Sequence, residues 1–205
     1  MARDLTPIVK RSRREGYALH PKAHKALVKR STPPGQQGRN QRRSKPSQYA
    51  LGLREKQKVK RLYGLLERQF EKLMKEATQS TGRSGDILLE FLERRLDNVV
   101  YRAGMASSRR AARQLVSHGH FLLNGQRVDI PSIRVVVGDS IVLRDHGRQT
   151  NYFKHLDELS PPPPEMVNWL KVNRQKVEIS VTGLPVRDNA EPDIKEQLIV
   201  EYYSR

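Results

Sequence analysis

The chain has 205 residues, no cysteine and a formal net charge of +17, with 39 Lys and Arg against 22 Asp and Glu. The missing thiols exclude disulfides, thiolate metal sites and cysteine nucleophiles, and fit a cytosolic protein. No apolar run reaches the roughly 20 residues of a membrane-spanning helix, and Met1-Ala2-Arg3-Asp4 lacks the apolar stretch of a secretory signal.

The charge is uneven. Residues 1–61 hold 18 bases and 3 acids, whereas residues 62–205 hold 21 and 19. A solvated basic face is the plain reading of such an excess, but its concentration in one third points to a polyanionic partner. Residues 1–50 are rich in Pro, Gly, Ser and Gln. Runs such as Lys10-Arg11-Ser12-Arg13-Arg14 and 39–45 bury too little surface to offset their ordering entropy. The segment is therefore expected to be extended, or ordered only against a partner. Pro33-Pro34-Gly35-Gln36-Gln37-Gly38 reads as a loop, and 20–29 as a short helix with Ala23, Ala26 and Leu27 on one side. Arg3, Lys10, Arg11, Arg13, Arg14, Arg39, Arg42, Arg43 and Lys45 are its phosphate-binding candidates. His20 and His24 are four apart, but no carboxylate or thiolate nearby completes a metal site.

Val59, Leu62, Tyr63, Leu66, Phe70, Leu73, Met74 and Ala77 form one apolar stripe at helical period, which predicts a helix over 54–77. Arg54, Lys56, Lys58, Lys60 and Arg61 crowd its first turns, where positive charge opposes the helix dipole. That placement makes sense beside phosphates, so these five join the candidates. After a break at 79–85, Asp86 opens a second predicted helix. Leu88, Leu89, Leu92, Leu96, Val99, Val100 and Ala103 form its stripe, and Gly104 ends it.

From 94 to 128 the chain carries seven Arg, no Lys and one acid, Asp97. Arg grips phosphate bidentately and stacks on bases. Ser107 or Ser108 caps a helix over 109–117, with Ala112, Leu115 and Val116 toward the core. Arg109, Arg110 and Arg113 project together beside the backbone N–H groups of that helix start. A like-charged triplet without flanking acids weakens an isolated helix, which favours RNA over solvent as its neighbour. Arg94, Arg95 and Ser108 belong to the same surface. His118 and His120 flank Gly119, for charge–dipole stabilisation or phosphate contact. Asn124-Gly125 is a hairpin signal, and Asn124 and Arg127 complete the candidates. Asp97 reads as a helix-surface acid near Arg94 and Tyr101 rather than a catalytic one, because no separate catalytic domain remains.

Beyond the hairpin, Gly138-Asp139 marks a turn before a strand over 140–143, with a short element at 149–157. Pro161–Pro164 reads as a stiff spacer, Trp169-Leu170 as an anchor on a core, and 177–181 as a strand. Residues 178–205 hold six acids and three bases, either as ordinary surface or as a complement to a basic neighbour. Residues 196–205 fit a helix or a strand equally. Aromatic residues are 6% of the chain and do not alternate with bases, which argues against a single-strand stacking platform and for recognition of folded RNA by backbone and shape. No Walker loop, dinucleotide fingerprint or nucleophile elbow is present.

Arg95-Leu96-Asp97, Ser108-Arg109, Ala112, His118-Gly119, Asn124-Gly125 and Val137-Gly138-Asp139 resemble the S4-type RNA-binding domain. The flanks Pro33-Pro34-Gly35, Leu53-Arg54-Glu55-Lys56-Gln57-Lys58, Tyr63-Gly64, Glu67-Arg68-Gln69-Phe70 and the run from Glu196 to Arg205 extend the resemblance to bacterial small-subunit ribosomal proteins of the S4 family, over nearly the whole chain. The resemblance implies an α+β fold: a mostly helical domain, an inserted S4-type domain of helices and a small antiparallel sheet, and a basic N-terminal extension. The expected divisions are 1–50, 51–93, 94–157 and a segment 158–205 packing back on the helical domain. It further implies a non-enzymatic protein without cofactor or metal, cytoplasmic and ribosome-bound. Its implied partners are 16S rRNA at a helical junction of the five-prime domain, ribosomal protein S5 and other small-subunit proteins, and mRNA where it enters the subunit, with no membrane. Nucleation of assembly, translational accuracy and, in some bacteria, repression of its own messenger belong to the same expectation. Two departures stand out: the four-cysteine zinc knuckle of many members is absent, and Gln37 replaces a common His. The alternative is a stand-alone structured-RNA binder, or an RNA-modifying enzyme, that carries the same domain.

Overall fold

The structure, a computed structural model, describes residues 6–36, 45–163 and 166–204. The chain divides into two units. One holds the chain up to Ile87 and from Asp193 onward; the other, Leu88–Pro192, is inserted between those stretches. This is the α+β arrangement that the sequence predicts, a helical unit interrupted by one built on an antiparallel sheet.

In the helical unit the N-terminal segment is not extended. It forms α1 (Ile8–Glu15) and α2 (Pro21–Lys29). His20 caps α2, its Nδ1 accepting from the Lys22 N–H at 3.1 Å, and Pro21 supplies the preset φ of a first helical residue. The segment folds because its few non-basic groups are well placed. The Glu15 side chain is fully buried and accepts from Arg54, at 3.4 Å, and from Arg61. Arg13 donates from Nε to the Thr32 carbonyl at 3.0 Å and from Nη2 to the Pro33 carbonyl at 3.2 Å.

The single helix expected over 54–77 is two, α3 (Gln48–Leu62) and α4 (Glu67–Gln79). The apolar stripe reads through the break because both helices bury residues on it: Val59 and Leu62 from the first, Phe70, Met74 and Ala77 from the second. What stops α3 is Gly64, at φ 68, with the Leu65 N–H reaching back to the Lys60 carbonyl at 2.9 Å. Because Ser47 caps α3 six residues ahead of Leu53, the five cations are not in its first turns. Lys60 and Arg61 lie in the last turn, where positive charge favours the dipole. The final segment, which periodicity leaves undecided, is helix α11 (Glu196–Tyr203), packed on α3.

The inserted unit begins within α5 (Ser84–Glu93), followed by α6 (Leu96–Arg102) and α7 (Arg109–Ser117). The helix expected from Asp86 to Ala103 is thus broken at Arg94-Arg95. Arg95 is extended and bridges Arg134, with Leu96 N–H donating to the Ile133 carbonyl at 2.8 Å and Val135 N–H to the Arg94 carbonyl at 3.0 Å. Pairing with a neighbouring strand-like segment overrides helical periodicity here. The sheet comprises β1 (Phe121–Leu123), β2 (Gln126–Val128), β3 (Ser140–Leu143), β4 (Leu170–Asn173) and β5 (Glu178–Val181), ordered β2-β1-β3-β5-β4 with antiparallel neighbours. Short helices α8 (Asp145–Arg148), α9 (Asn151–Lys154) and α10 (Leu156–Leu159) lie between β3 and β4. Phe121, Ile141 and Ile179 point into one core with Leu96, Val99, Val116 and Trp169. The expected division at 157 is therefore corrected. Residues up to Pro192 supply β4 and β5 to this sheet, and the chain returns to the helical unit from Asp193. The period-2 pattern at β4 and β5 is too short to reveal its partner.

Within the helical unit, α11 is fastened by one carboxylate. Glu67 pairs with Lys56 and Lys60, each at 2.6 Å, and accepts from the Tyr203 hydroxyl at 3.2 Å. Burial alone raises this carboxyl, but hydrogen bonds and charge from Lys56 and Lys60 outweigh it and hold it at about 2, below its ordinary 4.5. A carboxyl depressed on folding stabilises above its unfolded value and loses that contribution as pH falls through the folded one. Glu67→Gln is expected to lower the melting temperature at neutral pH. In melts followed by circular dichroism, its deficit against wild type shrinks as pH falls from 4.5 toward about 2.

Candidate nucleic-acid interface

Ser108 opens α7: its Oγ accepts from the Ala111 N–H at 3.3 Å, and the residue is buried. Its hydroxyl is therefore engaged in capping. Ala112, Leu115 and Val116 face the core, which turns Arg110 to solvent and leaves Arg109 and Arg113 half-buried.

The absence of flanking acids holds in sequence but not in space. Asp97, in the first turn of α6, is buried rather than on the helix surface. Arg95 grips it with Nε and Nη2 at 3.1 and 3.0 Å, and Arg113 with Nε and Nη2 at 2.8 and 2.5 Å. Buried Glu93 takes two bonds from Arg102, at 2.9 and 2.8 Å, and one from Asn98 Nδ2 at 2.8 Å. Arg109 donates to Asn98 Oδ1 at 2.8 Å and to Glu191 at 3.0 Å, with its guanidinium 4.6 Å from the Tyr101 ring centroid. Arg94 pairs with Glu90 at 2.9 Å. Most of the arginine cluster is thus held by internal counter-charges, and Arg110 stands apart as an exposed member. Sequence reading missed Glu191 because it lies 82 positions from Arg109.

At the other end of α7, His118 is exposed and His120 half-buried. Burial, followed by the charges of His118, His146 and Arg144, holds the His120 imidazole below its ordinary value. Arg127 is exposed on β2. Asn124 serves the hairpin: at φ 50 it donates to Asp139 at 2.7 Å and accepts from the Ser140 N–H at 2.9 Å.

In the helical unit, Lys10, Arg14 and Lys45 are exposed, whereas Arg11 is buried and Arg13 is tied to the loop carbonyls. Arg54 and Arg61 share Glu15. Lys56 is buried between Glu67 and the Tyr202 ring, and Lys60 meets the same carboxylate. Lys58 pairs with Glu55 at 2.8 Å and donates to the Asp193 carbonyl at 2.7 Å. Arg3, Gln37, Arg39, Arg42 and Arg43 lie outside the described residues. The structure adds candidates that the sequence reading passed over: Lys22, Lys25, Lys29 and Arg30 are exposed on and just after α2. The available signal was four bases and no acid within ten residues. Among the described residues no group of three His, Asp or Glu is arranged to hold a metal. The arrangement offers two kinds of cation: guanidiniums fixed by carboxylates, and solvent-facing bases available to phosphates.

The chain can now be placed among known proteins. Residues 3–93 match the family described as Ribosomal protein S4/S9 N-terminal domain, and residues 94–141 match the S4 domain. The chain is 48% identical over 206 residues to the small ribosomal subunit protein uS4 of Chloroflexus aurantiacus, with 100% of both chains covered. It is 49% identical over 212 residues to the protein of the same name from Clostridioides difficile, again with 100% of both covered.

Removing one member of a buried ion pair leaves the other charge uncompensated. Asp97→Ala strands both Arg95 and Arg113 and is expected to lower unfolding free energy by about 3 kcal/mol in urea denaturation. Arg110→Ala, at an exposed position, should change it by less than about 0.5 kcal/mol.

Proposed function

The chain belongs to the family of small ribosomal subunit protein uS4, and from that premise we propose that it acts by binding 16S rRNA at a helical junction of the five-prime domain and nucleating subunit assembly there. It is a structural constituent of the small subunit rather than an enzyme. We place its work on the cytoplasmic ribosome, beside ribosomal protein S5 and other small-subunit proteins. In the same reading it helps line the channel through which mRNA enters and contributes to translational accuracy.

The observation that carries the RNA reading is the division of cations. Acids are spent on the bases that crowd inside the fold, such as Lys56, Arg95 and Arg113. Lys10, Arg14, Lys22, Lys25, Lys29 and Arg30 face solvent on α1, α2 and the residue that follows. Cations left at a surface that forms secondary structure and carries few acids lower the repulsion between phosphates brought together at an RNA junction. Within the helical unit, the pairing of Glu15 with Arg54 and Arg61 and the bonds from Arg13 to the following loop hold that surface in shape before RNA arrives.

Each phosphate neutralised adds about 0.7 to 0.9 to the slope of log affinity against log salt. Lys22→Gln, Lys25→Gln and Lys29→Gln together are therefore expected to reduce that slope by about 2 to 3, read by filter binding to the five-prime domain of 16S rRNA. An unchanged slope would remove α2 from the interface.

A further inference from the structure

A second set of cations gathers around Gly119, at the end of α7 opposite Ser108. Gly119 is left-handed, at φ 69, and the Arg127 guanidinium lies against its α-carbon: a Cβ there would stand 2.9 Å from Nε and 3.1 Å from Nη2. From the other side Arg144 donates through Nη1 to the Gly119 carbonyl at 3.1 Å and through its backbone N–H to the His120 carbonyl at 2.9 Å. The His118 and His120 rings are 6.0 Å apart between centroids, and His120 also meets the Phe153 ring of α9, edge-on at 5.8 Å. His146 on α8 is close enough to weigh against protonation of His120.

These five groups contrast with the arginines at the start of α7. Arg127, Arg144, His118, His120 and His146 form no ion pair with a carboxylate among the described residues. The acids on the adjoining segments do not pair with them. Asp145 of α8 is fully exposed and stands 4.0 Å from Arg148, and Asp129, just past β2, is exposed. The negative end of the α7 dipole accounts for one cation here, and Arg144 already meets the carbonyls of Gly119 and His120 just past it. It does not account for five. A cluster of cations with no internal anion raises its own energy, and an external anion of matching size relieves it.

We infer that Arg127, Arg144, His118, His120 and His146 form a phosphate-binding site for an RNA backbone, distinct from the carboxylate-held arginines, and that its grip tightens as pH falls below neutrality. This rests on the RNA-binding reading above and deepens it by adding Arg144 and His146 and a proton linkage. The two guanidiniums hold phosphate at any pH. The imidazoles add charge only when protonated, and a bound phosphate opposes the burial and the neighbouring charges that hold His120 below its ordinary value. RNA binding therefore takes up protons.

The test measures affinity of the full chain for the five-prime domain of 16S rRNA at constant ionic strength, between about pH 8 and about pH 6. Two histidines each raised by about half a unit on binding give about sixfold tighter binding at the lower pH. His118→Gln with His120→Gln is expected to flatten that dependence, and Arg144→Gln to reduce the salt slope by about 0.7 to 0.9. Wild-type binding that does not change with pH, or a double variant that keeps the wild-type dependence, overturns the inference and leaves the RNA reading standing. Absence of binding at every pH overturns the RNA reading itself. Should the double variant fail to fold, histidine resonances of the wild type decide. Their titration midpoints rise by about half a unit in the complex, and unmoved midpoints overturn the site.

Discussion

A chain with seventeen excess positive charges folds only if its crowded bases find anions within the fold or are spread far enough apart to be solvated. The structure uses both solutions, and the first depends on a handful of carboxylates that are buried or shared. Glu15 serves Arg54 and Arg61, Glu67 serves Lys56 and Lys60, and Asp97 serves Arg95 and Arg113. In each case one acid meets two bases. Coulomb attraction at these separations outweighs the mutual repulsion of the two cations only because the acid lies between them. Desolvation works against it: burial pushes the Glu15 carboxyl up in spite of Arg54, Arg61, Arg14 and Lys58 around it. At more open Glu67 the two lysines win, and the carboxyl falls.

This constraint explains why the N-terminal segment departs from its sequence expectation. Composition argued that a basic, Pro- and Gly-rich stretch has too little apolar surface to order itself. The estimate of apolar surface was sound, but it left out a single acid. Glu15 closes α1 and reaches two arginines on α3, and Arg13 ties the following loop through backbone carbonyls. Long-range polar contacts of this kind leave no trace in local periodicity. The same holds for Glu191, whose link to Arg109 no window along the chain would suggest.

What was legible followed from short-range physics. The Ser108 cap, the Asn124-Gly125 turn and the α7 boundary at Gly119 are set by a few neighbouring residues, and they stand where the sequence puts them. The apolar stripes pick out most of the buried residues, with Leu66 and Leu73 only half-buried and Leu65 buried instead, but they miss the breaks. Stripes over 59–77 and 88–103 each run through a break, because successive helices both bury apolar residues that happen to keep the spacing. The Tyr63-Gly64 break had a signal in the glycine. The Arg94-Arg95 break had none, since its cause is a backbone pairing with residues 133–135. The candidate RNA-facing residues divide on the same line: exposure of Lys10, Arg14 or Arg110 follows from helical position, whereas pairing of Lys56 or Arg113 required the tertiary structure.

The paired and unpaired cations answer different physical demands, and they gather at opposite ends of α7. At its start, guanidiniums fixed by Asp97, Asn98 and Glu191 lose little conformational freedom when a polyanion arrives, but part of their charge is already compensated. At its end, the guanidiniums of Arg127 and Arg144 meet no carboxylate among the described residues, so they gain most from an anion, at the expense of mutual repulsion in its absence. Arginines alone would make that repulsion permanent. In the proposed site an imidazole can shed it by giving up its proton, and burial with the neighbouring charges already holds His120 below its ordinary value.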